Sequence, residues 1–205
     1  MKKILYYAHD PMCSWCWAFR PSMDALIEKL PKEINVIRLL GGLAPDSDIP
    51  MPDNIREYVL ENWRAIEKKV PKTKFNYNFW KECAPRRSTY PACRAVIAAR
   101  KQKKIFDKEM TLAIQKAYYL NARNPSDYET LIELAEEIGA DKNKFSEDVI
   151  SSETDRILKE EIQQCKKLDL NSLPSLLFIN KEKEIRIQSD YLNANTMLNR
   201  IESSI

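Results

Sequence analysis

The sequence predicts an α/β fold in which a strand–helix–strand half and a strand–strand–helix half are separated by a large all-helical insertion. Three observations predict it. Short apolar runs of strand type stand near the two ends of the chain, at 4–8, 34–40, 175–179 and 184–188. The intervening stretch repeats its apolar residues at helical spacing. A Cys-X-X-Cys pair, Cys13 and Cys16, falls where the first strand gives way to the first helix. The expected domains are 1–43 together with 152–205, and the helical insertion 44–151.

The elements follow in order. Ile4 to Ala8 reads as a buried strand, and Asp10-Pro11 as a turn. From Cys13 to Leu30 the pattern is helical, marked by Trp17, Met23, Leu26, Ile27 and Leu30. Pro21 is expected to kink this helix, because proline lacks the N–H and its ring crowds the preceding turn; Pro31 ends it. Residues 34–40 form the second strand, closed by Gly41-Gly42, two of the chain's three glycines. Two strands joined by a crossover helix are normally parallel.

Residues 44–52 carry three prolines and read as loop. Ile55, Tyr58, Val59, Trp63, Ile66 and Val70 then mark the inner face of a long helix. Residues 71–91 read as irregular, followed by a helix from Pro91 and another marked by Phe106, Met110, Ala113, Ile114 and Ala117. Ser126 and Glu129 read as a capping box, and Gly139 as the C-terminal cap of the same helix. A short helix around Phe145 and Val149 precedes one from Glu153 to Leu168, with Leu158, Ile162 and Cys165 on one face. Ser175 to Ile179 and Glu184 to Gln188 read as a hairpin around a polar turn, and Met197, Leu198 and Ile201 mark a closing helix.

Composition narrows the functional classes. The 205 residues are 44% hydrophobic and 31% charged, with a net charge of only +3, so no concentrated basic face for nucleic acid is expected. No run reaches the length of a membrane span. Five apolar residues, Ile4 to Ala8, precede His9, fewer than the roughly 7–15 of a secretory signal, so the expected compartment is the cytoplasm. Five cysteines in a reducing compartment do not suggest a disulfide framework. With His9 the only histidine, a multi-histidine metal site within one chain is excluded.

The chemistry concentrates at Cys13 and Cys16. At the first turn of a helix, unpaired backbone N–H groups and the positive end of the helix dipole converge. That setting favours thiolate over thiol, and the thiolate is the species that attacks a disulfide. Cys13, nearer the helix start, is the expected nucleophile, and Cys16, one turn deeper, the resolving thiol. Ser14 and Trp15 lie between them, and Trp15 offers a flat surface to an unfolded peptide. The same cysteines are open to other readings: buried apolar thiols, or a metal site shared with Cys83 and Cys93, whose spacing of ten is not that of a metal knuckle.

Asp10-Pro11-Met12-Cys13-Ser14-Trp15-Cys16-Trp17 after a strand, Pro21 five residues beyond the second cysteine, and Leu173-Pro174 ahead of the strand at 175–179 together resemble the thioredoxin superfamily. The match is closer to its DsbA-like, protein-disulfide isomerase branch, to which Ser88 to Val96 is also similar. The resemblance implies a thioredoxin-like fold, β-α-β … β-β-α, with the helical block as its insertion. It implies that Pro174 follows a cis peptide bond and faces the dithiol, with Leu173 and Pro174 pairing with an extended substrate. It implies protein or peptide thiols and disulfides as partners, no nucleic acid and no membrane, and no cofactor beyond the redox-active disulfide, with glutathione as a candidate reductant. The dipeptide Ser14-Trp15 departs from the Pro-His and Gly-Pro pairs common in the family, which leaves the redox direction open. Relatives among glutathione-transferase kappa and hydroxychromene-carboxylate isomerases share the layout but carry serine at the first position, where this chain keeps Cys13.

His9, four residues before Cys13, reads either as a modulator of the Cys13 thiolate or as a hydrogen-bonded strand end. Cys165 reads as core, and Cys83 with Cys93 as packing or a second redox pair. Arg86 and Arg87 read as a solvated pair or an anchor for an acidic partner, and Lys101 to Lys104 as a positively charged helix end. Two rival functions accompany the main one. The first is a glutathione-dependent isomerase or transferase acting on a small molecule. The second is a non-catalytic peptide-binding module lined by Trp15, Trp17 and Trp63.

Overall fold

The structure is a computed structural model that describes residues 3–205. Its described residues divide into two compact units, one made of 3–41 and 161–205 and the other of 42–160.

The first unit is built on β1 (Lys3–His9), α1 (Ser14–Lys29), β2 (Ile34–Leu40), β3 (Ser175–Asn180), β4 (Lys183–Ile187) and α9 (Ala194–Glu202). The strands form one mixed sheet in the order β2-β1-β3-β4. β1 runs parallel to β2, as a crossover through α1 requires, and antiparallel to β3; β3 and β4 form a hairpin. The period of two sorts the apolar residues onto two faces. Leu5 and Tyr7 of β1 and Leu176 and Phe178 of β3 pack with Phe19, Met23 and Leu26 of α1 and Met197 and Ile201 of α9. Ala8, Leu39 and Leu177 point the other way and meet Cys165 and Leu170. α1 passes through Pro21 as a single helix.

Gly41 shows why the second strand ends in glycine. Its N–H donates to the His9 carbonyl at 2.8 Å. A Cβ at this position would stand 2.8 Å from both Leu173 methyl carbons, closer than such contacts allow.

The second unit contains α2 (Asp53–Lys69), α3 (Phe79–Glu82), α4 (Tyr90–Gln102), α5 (Phe106–Tyr119), α6 (Tyr128–Glu137) and α7 (Lys142–Val149). It also holds the first half of α8 (Ser152–Lys167). The division inside α8, rather than ahead of it, has a local cause. Asp155 pairs with Arg94 among the helices, whereas Cys165 packs beneath the sheet. α4 is the central helix, with Pro91 to Ala99 buried around its whole circumference. Trp63, fully buried, stacks on Phe75 at 4.7 Å and meets Trp80, Tyr118 and Tyr119 at 5.2–5.7 Å.

Several expectations need correction. The stretch 71–91 contains α3, a single turn nucleated by buried Phe79 and Trp80. Tyr58 is 59% exposed, because it lies five residues before Trp63 and so on the flank turned away from the buried face. Ser126 does not cap α6. Asp127 takes that position, and the Ser126 hydroxyl instead donates to the Ser88 carbonyl at 2.8 Å. At the other end Gly139, at φ +78°, donates to the Glu136 carbonyl while Ala140 reaches the Ala135 carbonyl, a Schellman closure.

Candidate active site

The site lies entirely in the first unit, where the end of β1, the start of α1 and the loop before β3 converge. Asp10 shapes the approach. Its Oδ1 accepts the Met12 N–H at 2.7 Å and its carbonyl accepts the Cys13 N–H at 3.0 Å, so the chain turns at once from strand into helix. Cys13 therefore occupies the N-cap of α1 in an extended conformation. Its Sγ accepts the Cys16 N–H at 3.4 Å, doing for a sulfur what a capping serine does with oxygen. The Cys13 thiol also points at the Leu173 carbonyl, 3.5 Å away, and the Leu173–Pro174 peptide bond is cis. The dithiol, Leu173 and Pro174 are thus brought together across about 160 residues of sequence.

The two thiols differ. Cys13 retains 5% exposure and Cys16 none, and both are free. Burial first, then the hydrogen bond and charge of Cys13, push the Cys16 thiol well above its ordinary range, so it stays protonated while it waits. The roles separate in chemical terms: a sulfur at the helix mouth that accepts a backbone amide, and a deeper one held as thiol.

Ser14 and Trp15 open the helix and are partly exposed. Trp17 is nearly covered, with the Arg20 guanidinium over its ring at 5.1 Å. His9 is buried and stacks on Tyr7 at 4.9 Å. Three further residues stand at the site, of which the sequence marked only Asp10, and that as a turn residue. Asp10 is fully buried beside Cys16. Tyr7 is buried beneath the dithiol, its phenol pushed well up by burial and then by Cys16. Tyr191 lies edge-on to Trp15, 5.4 Å between ring centres. Asp-Pro ahead of a cysteine pair is a turn signal that could have pointed to Asp10; nothing local marks Tyr191, which arrives from the far end of the chain.

Cys165 is buried under the sheet, its thiol pushed up to about 12 by burial and by the neighbouring Glu161. Cys93 is fully buried in α4, and the Cys83 thiol donates to the Ala122 carbonyl at 3.0 Å. Among the described residues no three His, Cys, Asp or Glu side chains gather as a metal-binding group. Arg86 is partly exposed but engaged, donating to the Ser126 carbonyl and the Asp127 carboxylate. Lys101 is likewise engaged, by Asp148 and Glu153. Trp63 lines no groove, being enclosed by other rings.

A strand–helix dithiol facing a cis-proline loop defines the thioredoxin-fold class. The family profile described as thioredoxin matches residues 6–194, and the chain belongs to that family. Its solved structural neighbours are DsbA-like. A protein from Nitrosomonas europaea, described as a proposed disulfide isomerase, superposes with TM-score 0.83 at 22% identity, over 99% of this chain and 97% of the other. The cytosolic disulfide reductase DsbM of Pseudomonas aeruginosa follows at TM-score 0.78 and 19% identity, over 98% and 97%. Among curated sequences, the ClpXP adapter protein SpxH of Bacillus subtilis is 24% identical over 181 residues, 88% of this chain. The chain spans only 59% of that relative's length.

Proposed function

We propose that this chain is a thiol–disulfide oxidoreductase acting on protein or peptide disulfides, with Cys13 as nucleophile and Cys16 as resolving thiol. The observation that carries the reading is the Cys13 sulfur at the mouth of α1, accepting the Cys16 amide and facing the carbonyl of the cis Leu173–Pro174 bond. The Cys13 thiolate attacks one sulfur of the substrate disulfide. That S–S bond breaks, and the departing sulfur leaves as thiolate and takes a proton. Cys16 then gives up its proton and attacks Cys13, releasing the second substrate thiol and closing a Cys13–Cys16 disulfide. Two electrons pass from the dithiol to the substrate, and a thiol reductant such as glutathione returns them. Leu173 and Pro174 hold the substrate backbone in extended form, Ser14 and Trp15 flank its entry, and His9 modulates through its stack on Tyr7.

No bound cofactor or metal enters these steps. The partners are protein or peptide thiols and disulfides, not nucleic acid or membrane, and the compartment we assign is the cytoplasm. DsbM, described as cytosolic and also solved with glutathione, supports both the compartment and the reductant. The test is trapping. Cys16→Ser incubated with an oxidised peptide should accumulate a mixed disulfide at Cys13, visible by intact mass, and Cys13→Ser should not. Peptide turnover surviving Cys16→Ser would favour a glutathione-dependent transferase or isomerase instead.

A second reading is a peptide-binding module without turnover, favoured by the adapter role carried in the name of the curated relatives. It predicts peptide affinity unchanged in Cys13→Ser and no reduction of any disulfide by the native chain.

A further inference from the structure

We infer that Tyr191 is a positioning residue that, with Leu192, makes the site select disulfides flanked by large apolar side chains over small or acidic ones. The inference rests on the oxidoreductase reading.

The loop between β4 and α9 is tied to both halves of the site. The Ser22 hydroxyl of α1 donates to the Asp190 carbonyl at 2.6 Å, and the Ser189 hydroxyl reaches the Pro174 carbonyl at 3.5 Å. The Asp190 carboxylate turns back on its own loop and accepts the Leu192 and Asn193 N–H groups at 3.0 and 2.9 Å. Those backbone bonds hold its carboxyl below the usual range. The one negative charge of the loop is thereby occupied, and the Tyr191 backbone is held on each side.

From this mount the Tyr191 ring meets two aromatic residues of the dithiol helix edge-on. It lies 5.4 Å and 70° from Trp15 and 5.4 Å and 68° from Phe19. Phe19 is fully buried, so Tyr191 bridges the core to the indole that stands between the two cysteines. Edge-to-face pairs fix ring orientation as well as adding stability. Burial, then Cys16 and Cys13, push the Tyr191 phenol up, so it stays uncharged whichever thiol ionises. The next residue, Leu192, is 71% exposed. Beside the nucleophile there is consequently a neutral wall with an oriented indole, and one residue along the loop from Tyr191 stands an open aliphatic side chain. A bulky apolar residue next to a substrate half-cystine gains area against this wall. A small disulfide gains nothing, and an acidic side chain loses hydration against it.

The experiment compares three substrates: a peptide disulfide with Phe beside the half-cystine, the same peptide with Asp there, and hydroxyethyl disulfide. Wild type should prefer the Phe peptide. Tyr191→Ala should raise KM for that peptide about fivefold, the order expected for an aromatic pair, and collapse its advantage over hydroxyethyl disulfide; Tyr191→Phe should restore it. Leu192→Ser, at an exposed position, should move KM in the same direction by a smaller factor. A preference that persists in both Tyr191→Ala and Leu192→Ser, or a wild type favouring the Asp peptide, overturns the inference. So does equal loss in Tyr191→Phe and Tyr191→Ala. If wild type reduces none of the three, the oxidoreductase reading fails by itself. Fluorescence-anisotropy affinities of the reduced Phe and Asp peptides for the same variants then still decide the Tyr191 inference.

Discussion

The two units cohere in different ways, and the difference separates chemistry from scaffold. In the sheet unit, alternating strand residues sort aliphatic side chains into two layers. The dithiol and the Leu173 carbonyl face each other where the β1–α1 turn and the loop before β3 meet. In the helical unit the core is a cluster of rings around Trp63, and several charged side chains are paired with one another. Arg94 is the clearest case: its guanidinium binds Asp46 through both terminal nitrogens, Asp155 at 3.3 Å and the Tyr128 hydroxyl at 2.8 Å. Sheet layers satisfied by apolar packing leave backbone groups at their ends for a substrate. In the helical unit a buried charge such as Arg94 is instead closed by its own acidic and phenolic neighbours.

The strongest way to break this contrast is Cys13→Ser. Turnover should fall by roughly a thousandfold or more, while the melting temperature of the helical core stays where it was; activity left at a tenth of wild type would place the nucleophile elsewhere. Trp63→Ala attacks the other side. Emptying the centre of the ring cluster should cost about 4 kcal/mol in denaturant unfolding, and a cost near zero would mean that the rings are not what holds these helices. Arg94→Met should cost about 3 kcal/mol, the low end for a broken buried pair, because Asp46 is itself half exposed. Asp46→Asn in the same background should recover part of that loss.

Gly41→Ala joins the two measurements within one unit. Its Cβ must displace Leu173, so stability should fall by about 1–2 kcal/mol, and disulfide turnover should fall further than Tyr58→Ala, an exposed control, allows. The last expectation concerns pH. The Cys165 thiol is pushed up to about 12 in the folded chain, and Cys16 is shifted in the same direction. A neutral thiol favoured by folding adds stability in full below its unfolded pKa of about 8.5, and that stability is lost as pH rises toward the folded value. Urea melts of the reduced protein between pH 7 and 11 should show the decline, and Cys165→Ala should make it shallower.

Much of the fold was legible because its signals are local. Pro31, Gly41 and Pro174 mark ends of elements, and the near-continuous apolar runs in 4–8 and 175–179 mark strands whose two faces are both covered. α3 escaped because one turn carries no period. The capping box at Ser126 was misread because the pattern of residue types is correct while a distant carbonyl, that of Ser88, competes for the hydroxyl. Cys13 and Cys16 were legible as a pair because two intervening residues in a helical turn suffice to define their relation.

By itself, then, the sequence determined the order of most elements and the dithiol at a strand–helix junction, since each depends on neighbours within one turn or one strand; the return of Pro174 to the dithiol was implied only by the family resemblance. Only the tertiary structure decided that Gly41 must yield room to Leu173, that Arg86 is already engaged, and that Tyr191 stands against Trp15. Burial and contact between residues far apart in the chain depend on how the sheet and its helices close in space, and no local pattern of residue types encodes that closure.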